Sequence, residues 1–354
     1  MATTYYTVAG MMSGTSLDGI DLILCRFHYR EKRWHYRVLK AVTMDYSAEW
    51  KKKLVDAAGM QAEEILLLHN AYGRYIGDVV KHSMKKWGMQ ASLVASHGHT
   101  IFHQPDKQFT FQLGSGAAIA SQCGIMTVSD FRSTDVAFGG QGAPLVPVGD
   151  EFLFGNYAFC LNLGGFSNIS HQHNGLRIAC DLSPANIVLN NLAGRAGKEF
   201  DRNGTIGRRG SAHAALVDKL NALDFYALPA PKSLGREWVE TVFMPVLNRF
   251  DIPLADLMRS VYEHVAFQIS RYMNSFGKGE VLVTGGGAFN SLLVELIRQK
   301  TGSVLVIPGE KLVKFKEALI FAFLGLLRYR GEINCLASVT GARKDSMCGT
   351  IHLP

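Results

Sequence analysis

Residues 12–21, Met-Ser-Gly-Thr-Ser-Leu-Asp-Gly-Ile-Asp, hold the densest set of groups able to do chemistry in this chain. They lie between apolar, strand-like segments at 6–11 and 20–25. Gly14, Thr15, Ser16, Leu17, Asp18, Gly19, Ile20 and Asp21 therefore read as a hairpin turn built to hold phosphates. Glycine lets the backbone come close to an anion, turn N–H groups and hydroxyls donate to phosphate oxygens, and an Asp can hold magnesium through water. Asp18 and Asp21 both fit the magnesium role, and the spacing does not choose between them. Taken alone, the turn also reads as an ordinary Gly/Ser hairpin.

Two more glycine turns follow strand-like segments. Gly164 and Gly165 come after 159–163 and precede strands at 169–171 and 176–180, which Asn174-Gly175 joins as a hairpin. Gly285, Gly286 and Gly287 come after 281–283 and lead to a helix beginning near Asn290, whose start offers N–H groups and a positive dipole end to a nucleotide. Asp181 stands at a strand end just before Pro184, either as a general base or as the N-cap of a helix beginning near that proline. Glu317 opens the apolar helix 318–327, as a first-turn dipole partner or a carboxylate for a bound ligand. Arg132 follows a strand ending at Val128 and either meets a substrate carboxylate or pairs with Asp130 or Asp135. His97, His99 and His103 suggest a metal, but no acidic or cysteine ligand stands near them, and a single histidine lining a binding site accounts for the pattern.

The elements that must carry these groups form an α/β protein. Strands open the chain, a third runs over 34–44, and an amphipathic helix spans 65–87 with Gly88 ending it. A strand at 93–95, another at 109–113, a helix at 115–123 and a strand at 125–128 follow. The Gly/Pro-rich stretch 139–147 breaks all periodicity and reads as the interdomain region, giving domains 1–140 and 141–354. Helices are expected at 236–248, kinked or ended by Pro245, and at 254–276. Each half opens with strand, glycine turn and strand, which outlines a duplicated fold closing on a nucleotide.

Composition agrees with a globular protein. Of the 354 residues, 47% are hydrophobic and 19% charged, which favours buried cores over disorder, and the length suggests two domains. The apolar run 318–327 is about half the length that spans a bilayer, and no export signal is read before Tyr5, so a cytoplasmic location with no membrane partner is expected. Six scattered cysteines without a C-x-x-C pair read as reduced thiols. The net charge of +7 comes with lysine clusters at 51–53 and 85–86 that lack interleaved aromatics, so nucleic acid is not expected as a partner.

This organisation resembles the superfamily of sugar kinases, actin and heat-shock ATPases. Within it the chain is similar to the anhydro-N-acetylmuramic acid kinase family, through residues 12–21, Ser96-His97-Gly98, 129–133, 139–147, 162–165 with Asn168-Ile169, 201–204, 285–288 with Asn290, 316–318 and 339–342. The resemblance implies two ribonuclease-H-like domains around a central nucleotide cleft, the actin-like ATPase fold. It implies ATP and Mg2+ as cofactors, and a homodimer. The implied reaction takes 1,6-anhydro-N-acetylmuramic acid, ATP and water to N-acetylmuramic acid 6-phosphate and ADP in peptidoglycan recycling. Asp181 becomes the base that activates water, and His97, Arg132, Asn186 and Glu317 face the sugar. The family's usual Asp-Thr-Gly-Pro-Gly-Asn reads Asp181-Leu-Ser-Pro-Ala-Asn186 here, its common Gln is His99, and its Gly-Asp is Gly114-Ser115. An ordinary amino-sugar or hexose kinase and a chaperone-like regulatory ATPase are the competing readings. A chaperone of this fold carries an added peptide-binding module, and none is read in this sequence.

Overall fold

The computed structural model describes residues 4–14 and 17–354, so Thr15 and Ser16 of the first turn lie outside the described residues. Thirteen strands are described: β1 Tyr5–Ser13, β2 Gly19–Arg30, β3 Arg33–Asp45, β4 Leu93–Ser96, β5 His99–Gln104, β6 Phe109–Leu113, β7 Thr127–Ser129, β8 Phe159–Leu163, β9 Phe166–His173, β10 Leu176–Pro184, β11 Glu280–Thr284, β12 Val304–Val306 and β13 Thr350–His352. One sheet runs β13-β7-β4-β1-β2-β3 and another β10-β9-β8-β11-β12. In the first, β1, β2 and β3 pair antiparallel, then β4 joins β1 and β7 joins β4 in parallel. The second repeats this, with β8, β9 and β10 antiparallel and β11 and β12 added in parallel beyond β8. The same five-strand order, present twice, is the ribonuclease-H-like arrangement.

Two compact units result, Met1–Leu153 with Phe315–Pro354, and Phe154–Lys314. The first boundary thus falls at 153/154 instead of 140/141, and the last part of the chain returns to the first unit. The return has a physical cause. A Cβ on Gly10 of β1 would lie 2.1 Å from the Ala318 carbonyl oxygen, and one on Gly325 would lie 2.4 Å from the Ala95 side chain. The helix Glu310–Arg330 therefore rests directly on the first sheet at two glycine crossings. Its residues from Ala318 to Leu324 are almost wholly buried. β13 then pairs antiparallel with β7.

The stretch read as a linker is also part of the first unit. Gly140 N–H donates to the Asp135 carbonyl at 2.9 Å and Gln141 N–H to the Thr340 carbonyl at 2.8 Å. Its glycines serve a pinned loop, and the crossing comes after the helix Val146–Leu153. Periodicity located the long helices well: Ala62–Trp87 ends at Gly88 with φ +60°, and Leu254–Phe276 is as expected. The segment 236–248 is one irregular helix, α at Arg236–Trp238, a π-turn over Val239–Phe243 and α again at Met244–Leu247. Pro245 lacks an N–H, and the ladder widens just before it.

Each unit has its own core. In the first, Leu22, Leu24, Tyr72, Val94 and Ile119 meet beneath the sheet, and in the second Leu161, Leu189, Val261, Val283 and Ile297 do so. Among the described residues no helix is long and apolar enough to cross a membrane.

Candidate active site

In the second unit, β8 and β11 are parallel neighbours with Asn162 beside Thr284. Their loops, Gly164-Gly165 and Gly285–Gly287, therefore emerge side by side at the carboxyl ends of the strands, the end where open α/β sheets bind ligands. The glycines divide into two kinds. Gly285 has φ +81°, and a Cβ there would lie 2.6 Å from Asn162 Oδ1. It is glycine because the two loops touch. Gly165 and Gly286 instead have room for a Cβ, the nearest atom to one being 3.9 Å away in each, an ordinary van der Waals contact. They leave bare backbone where a nucleotide can approach, and this is the observation by which the second unit fits ATP.

Asn186 braces these loops. Its side-chain N–H goes to the Leu163 carbonyl at 3.1 Å, and its backbone N–H goes to the Gly164 carbonyl at 3.2 Å. The expected sugar ligand thus has its donor committed to the glycine turn. A second brace was missed in the sequence. Asp201 accepts from Ile206 and Gly207 N–H groups and from Tyr262, and Asn290 bonds both Tyr262 and the Asp201 carbonyl. Asn290 also caps the helix Ser291–Lys300 through Leu293 N–H, so the third glycine loop is fixed at both ends.

Asp181 sits where β10 is bulged against β9, between Asp181 and Ser183. Leu234 N–H donates to its Oδ2 at 2.8 Å, and its own N–H donates to the Lys232 carbonyl at 2.9 Å. Burial pushes the carboxyl up to about 6, opposed by the Leu234 hydrogen bond. The helix that follows begins at Asn186, with Ala185 as N-cap. Asp181 therefore does not cap it, and the capping alternative is set aside. Nothing local in the sequence signals the 232–234 segment that grips Asp181, because it arrives from more than fifty residues away.

In the first unit, the described part of the hairpin turns through Leu17 at φ +59°. Ile20 is buried in the core, and a Cβ on Gly19 would lie 2.5 Å from the Met44 carbonyl oxygen. Gly19 is therefore small to admit β3, a packing reason that stands apart from any phosphate contact through its backbone. Asp21 accepts from Thr43 Oγ1 at 2.6 Å, and its carboxyl is raised by burial and by Asp18. Neither aspartate forms an ion pair among the described residues. Two neighbouring carboxylates without a basic side-chain partner among the described residues suit magnesium, which commonly takes one or two carboxylates with phosphate oxygens and water.

Arg132 donates from Nε to His97 Nε2 at 3.0 Å and from Nη1 to the Gly142 carbonyl at 2.6 Å. It pairs with neither Asp130 nor Asp135. Instead Asp130 Oδ1 accepts from Ser133, and Nη2 of Arg132 is without a partner among the described residues. His97 must accept at Nε2, so its proton is on Nδ1, which donates to the Gly98 carbonyl at 2.9 Å. Burial and Arg132 hold its pKa well below the usual histidine range. Both ring nitrogens are spent on positioning Arg132. His97 also lines a polar cavity of about 260 Å³ shared with His69, Gln112, Ser115, Asp130 and His352.

His99 bonds Ser13 at 2.9 Å and His103 bonds Thr110 at 3.1 Å, and among the described residues no group of three or more His, Cys, Asp or Glu could hold a metal. Glu317 lies two residues after the break at Phe315, in the first turn of the resumed helix. Its side chain reaches solvent, yet the protein crowded around it raises its carboxyl, with Arg132 and Lys316 opposing and Asp21 adding.

A family model described as anhydro-N-acetylmuramic acid kinase matches residues 6–354. An anhydro-N-acetylmuramic acid kinase of Vibrio cholerae is 34% identical, covering 98% of both chains, and one of Rhodococcus erythropolis is 32% identical over 97% of this chain and 93% of its own. The chain belongs to the anhydro-N-acetylmuramic acid kinase family. Its departures from the usual family motif are accommodated locally. Leu182 and Ala185 fill the core of the second unit, and Ser115 caps the helix Gly116–Cys123 through Ala118 N–H at 3.3 Å. An Asp at that position would serve the same capping purpose.

Proposed function

We propose that the chain is an ATP-dependent kinase that opens the 1,6-anhydro ring of anhydro-N-acetylmuramic acid with water and phosphorylates O6, yielding N-acetylmuramic acid 6-phosphate and ADP in peptidoglycan recycling. The observation that carries the reading is Asp181: one oxygen is anchored by Leu234, the other accepts no hydrogen bond among the described residues, and its carboxyl is raised to about 6. A base with that poise is ionised at neutral pH yet basic enough to take a proton in the transition state.

Asp181 Oδ1 removes a proton from water as the water oxygen bonds to C1, and the C1–O6 bond breaks. The electron pair left on O6 attacks the γ-phosphorus of ATP, expelling ADP, and the proton on Asp181 returns to solvent. Arg132 receives the lactyl carboxylate with its remaining N–H groups, and Glu317 accepts from a sugar hydroxyl. Gly164, Gly165, Gly285, Gly286 and Gly287 bear the nucleotide, with the first turn from Gly14 to Asp21 as phosphate cradle. Asp18 and Asp21 would hold magnesium, which when bound neutralises charge on the phosphoryl oxygens. A cytoplasmic location and a homodimeric state complete the reading. Six free cysteines fit a reducing compartment, and sedimentation tests the dimer.

Turnover in ¹⁸O-labelled water decides the reaction. The reading expects label at the anomeric carbon at the rate of ADP release, with none in the phosphate on O6. An ordinary sugar kinase labels neither product in an early quench. Solvent label in inorganic phosphate, matching ADP release, overturns the kinase reading in favour of an ATPase.

A further inference from the structure

The Gly139–Gly142 loop is the conspicuous motif that the reaction above leaves unused, and its anchor is Asp135. This residue is 1% exposed and receives three donors on its carboxylate: Gly142 N–H on Oδ2 at 2.7 Å, with Thr340 Oγ1 at 2.8 Å and Cys335 Sγ at 3.1 Å on Oδ1. A Cβ on Gly140 would stand 2.2 Å from Oδ2, so the loop lies directly against the carboxylate. Gly142, at φ +64°, is held from both sides, its N–H given to Asp135 and its carbonyl taken by Arg132 Nη1 at 2.6 Å. Asp135 and Arg132 are thus joined through one peptide residue, with no direct ion pair.

We propose that Asp135 is a positioning residue for the reaction: through Gly142 it sets where the Arg132 guanidinium presents its free N–H groups to the carboxylate of the substrate. The inference rests on the reading that Arg132 meets that carboxylate. The carboxyl of Asp135 offers acceptors to all three donors, whereas the amide of Asn would set an N–H against one of them. A slack loop lets Gly142 drift, and small misplacements of a substrate-binding fork are costly in rate.

A double-mutant cycle with two sugars tests this. The substrates are anhydro-N-acetylmuramic acid and the same bicyclic sugar lacking the lactyl ether. Arg132→Ala is expected to raise KM for the carboxylate-bearing sugar roughly tenfold to hundredfold, the range of one charge-assisted hydrogen bond, and to leave the other sugar little changed. Asp135→Asn is expected to lose the same discrimination, while the double variant is no worse than Arg132→Ala alone. Additive losses, an equal loss on both sugars, or an unchanged KM in Asp135→Asn overturn the proposal while the Arg132 reading stands. Arg132→Ala treating both sugars alike overturns that reading and this one with it. If Asp135→Asn does not fold, Thr340→Val takes its place in the cycle. It removes one donor to Oδ1 without touching Arg132, and a smaller rise confined to the carboxylate-bearing sugar is expected. No change, or the same change on both sugars, overturns the proposal.

Discussion

Leu234 and Asp181 are joined by a single hydrogen bond, main-chain N–H to Oδ2 at 2.8 Å, and among the described residues the second carboxylate oxygen accepts none. The bond fixes the carboxyl plane and leaves one oxygen to take a proton. Asp181→Asn keeps an acceptor for Leu234 but removes the proposed base. Turnover is expected to fall by about 10² or more, the usual scale for a lost general base, with ATP affinity nearly unchanged by calorimetry. Near-normal turnover would remove Asp181 from the chemistry.

The same carboxyl gives a pH dependence with a definite sign. Activity needs the ionised form, so kcat/KM should rise with pH to a plateau with a midpoint near 6, and His97, held neutral by burial and Arg132, should add no limb above that. A rate that is flat from pH 5 to 8 would exclude a base raised to about 6.

Stability responds in the opposite direction. Because folding raises this carboxyl from 3.8 to about 6, ionising it costs stability, absent below about pH 4 and complete above the folded value. At about 1.36 kcal/mol per pKa unit, and discounting for partial exposure, Asp181→Asn should be more stable than the parent by about 1–2 kcal/mol at pH 8 and equal to it near pH 4. Thermal melts at the two pH values check this. An equal or lower melting temperature at pH 8 would mean that the folded protein does not disfavour the charge.

The sequence disclosed more of the elements than of the contacts among them. Repeated strand–turn–strand patterns exposed the duplicated fold because hairpins and the period of two are local properties. The return of the chain at Phe315 was hidden, since it depends on Gly10 and Gly325 meeting Ala318 and Ala95, neighbours made only by packing. That Asp181 lies late in a strand was legible, although β10 runs on to Pro184. Its grip by Lys232 and Leu234 was not, and the pinning of 139–142 by Asp135 and Thr340 was read as a linker because glycine looks the same in a hinge and in a tight contact. Gly19 shows the same ambiguity within the first turn: its missing side chain makes room for Met44.

Gly285 and Gly286 separate the two uses of glycine in adjacent positions. Gly285→Ala must accommodate φ +81° and a Cβ 2.6 Å from Asn162 Oδ1 and 2.7 Å from the Leu163 carbonyl carbon, so strain and clash act together inside the folded unit. It should lose roughly 2 kcal/mol or more of stability, with ATP affinity falling as a consequence. Gly286→Ala meets nothing nearer than 3.9 Å, and its melting temperature should stay close to that of the parent. Its methyl group would stand where bare backbone faces the nucleotide, so ATP binding should weaken several-fold while the protein stays folded. Calorimetric titration with a non-hydrolysable ATP analogue, run beside thermal melts, resolves the pair. A Gly286→Ala protein that binds the analogue as tightly as the parent would show that this backbone is not part of the nucleotide cradle.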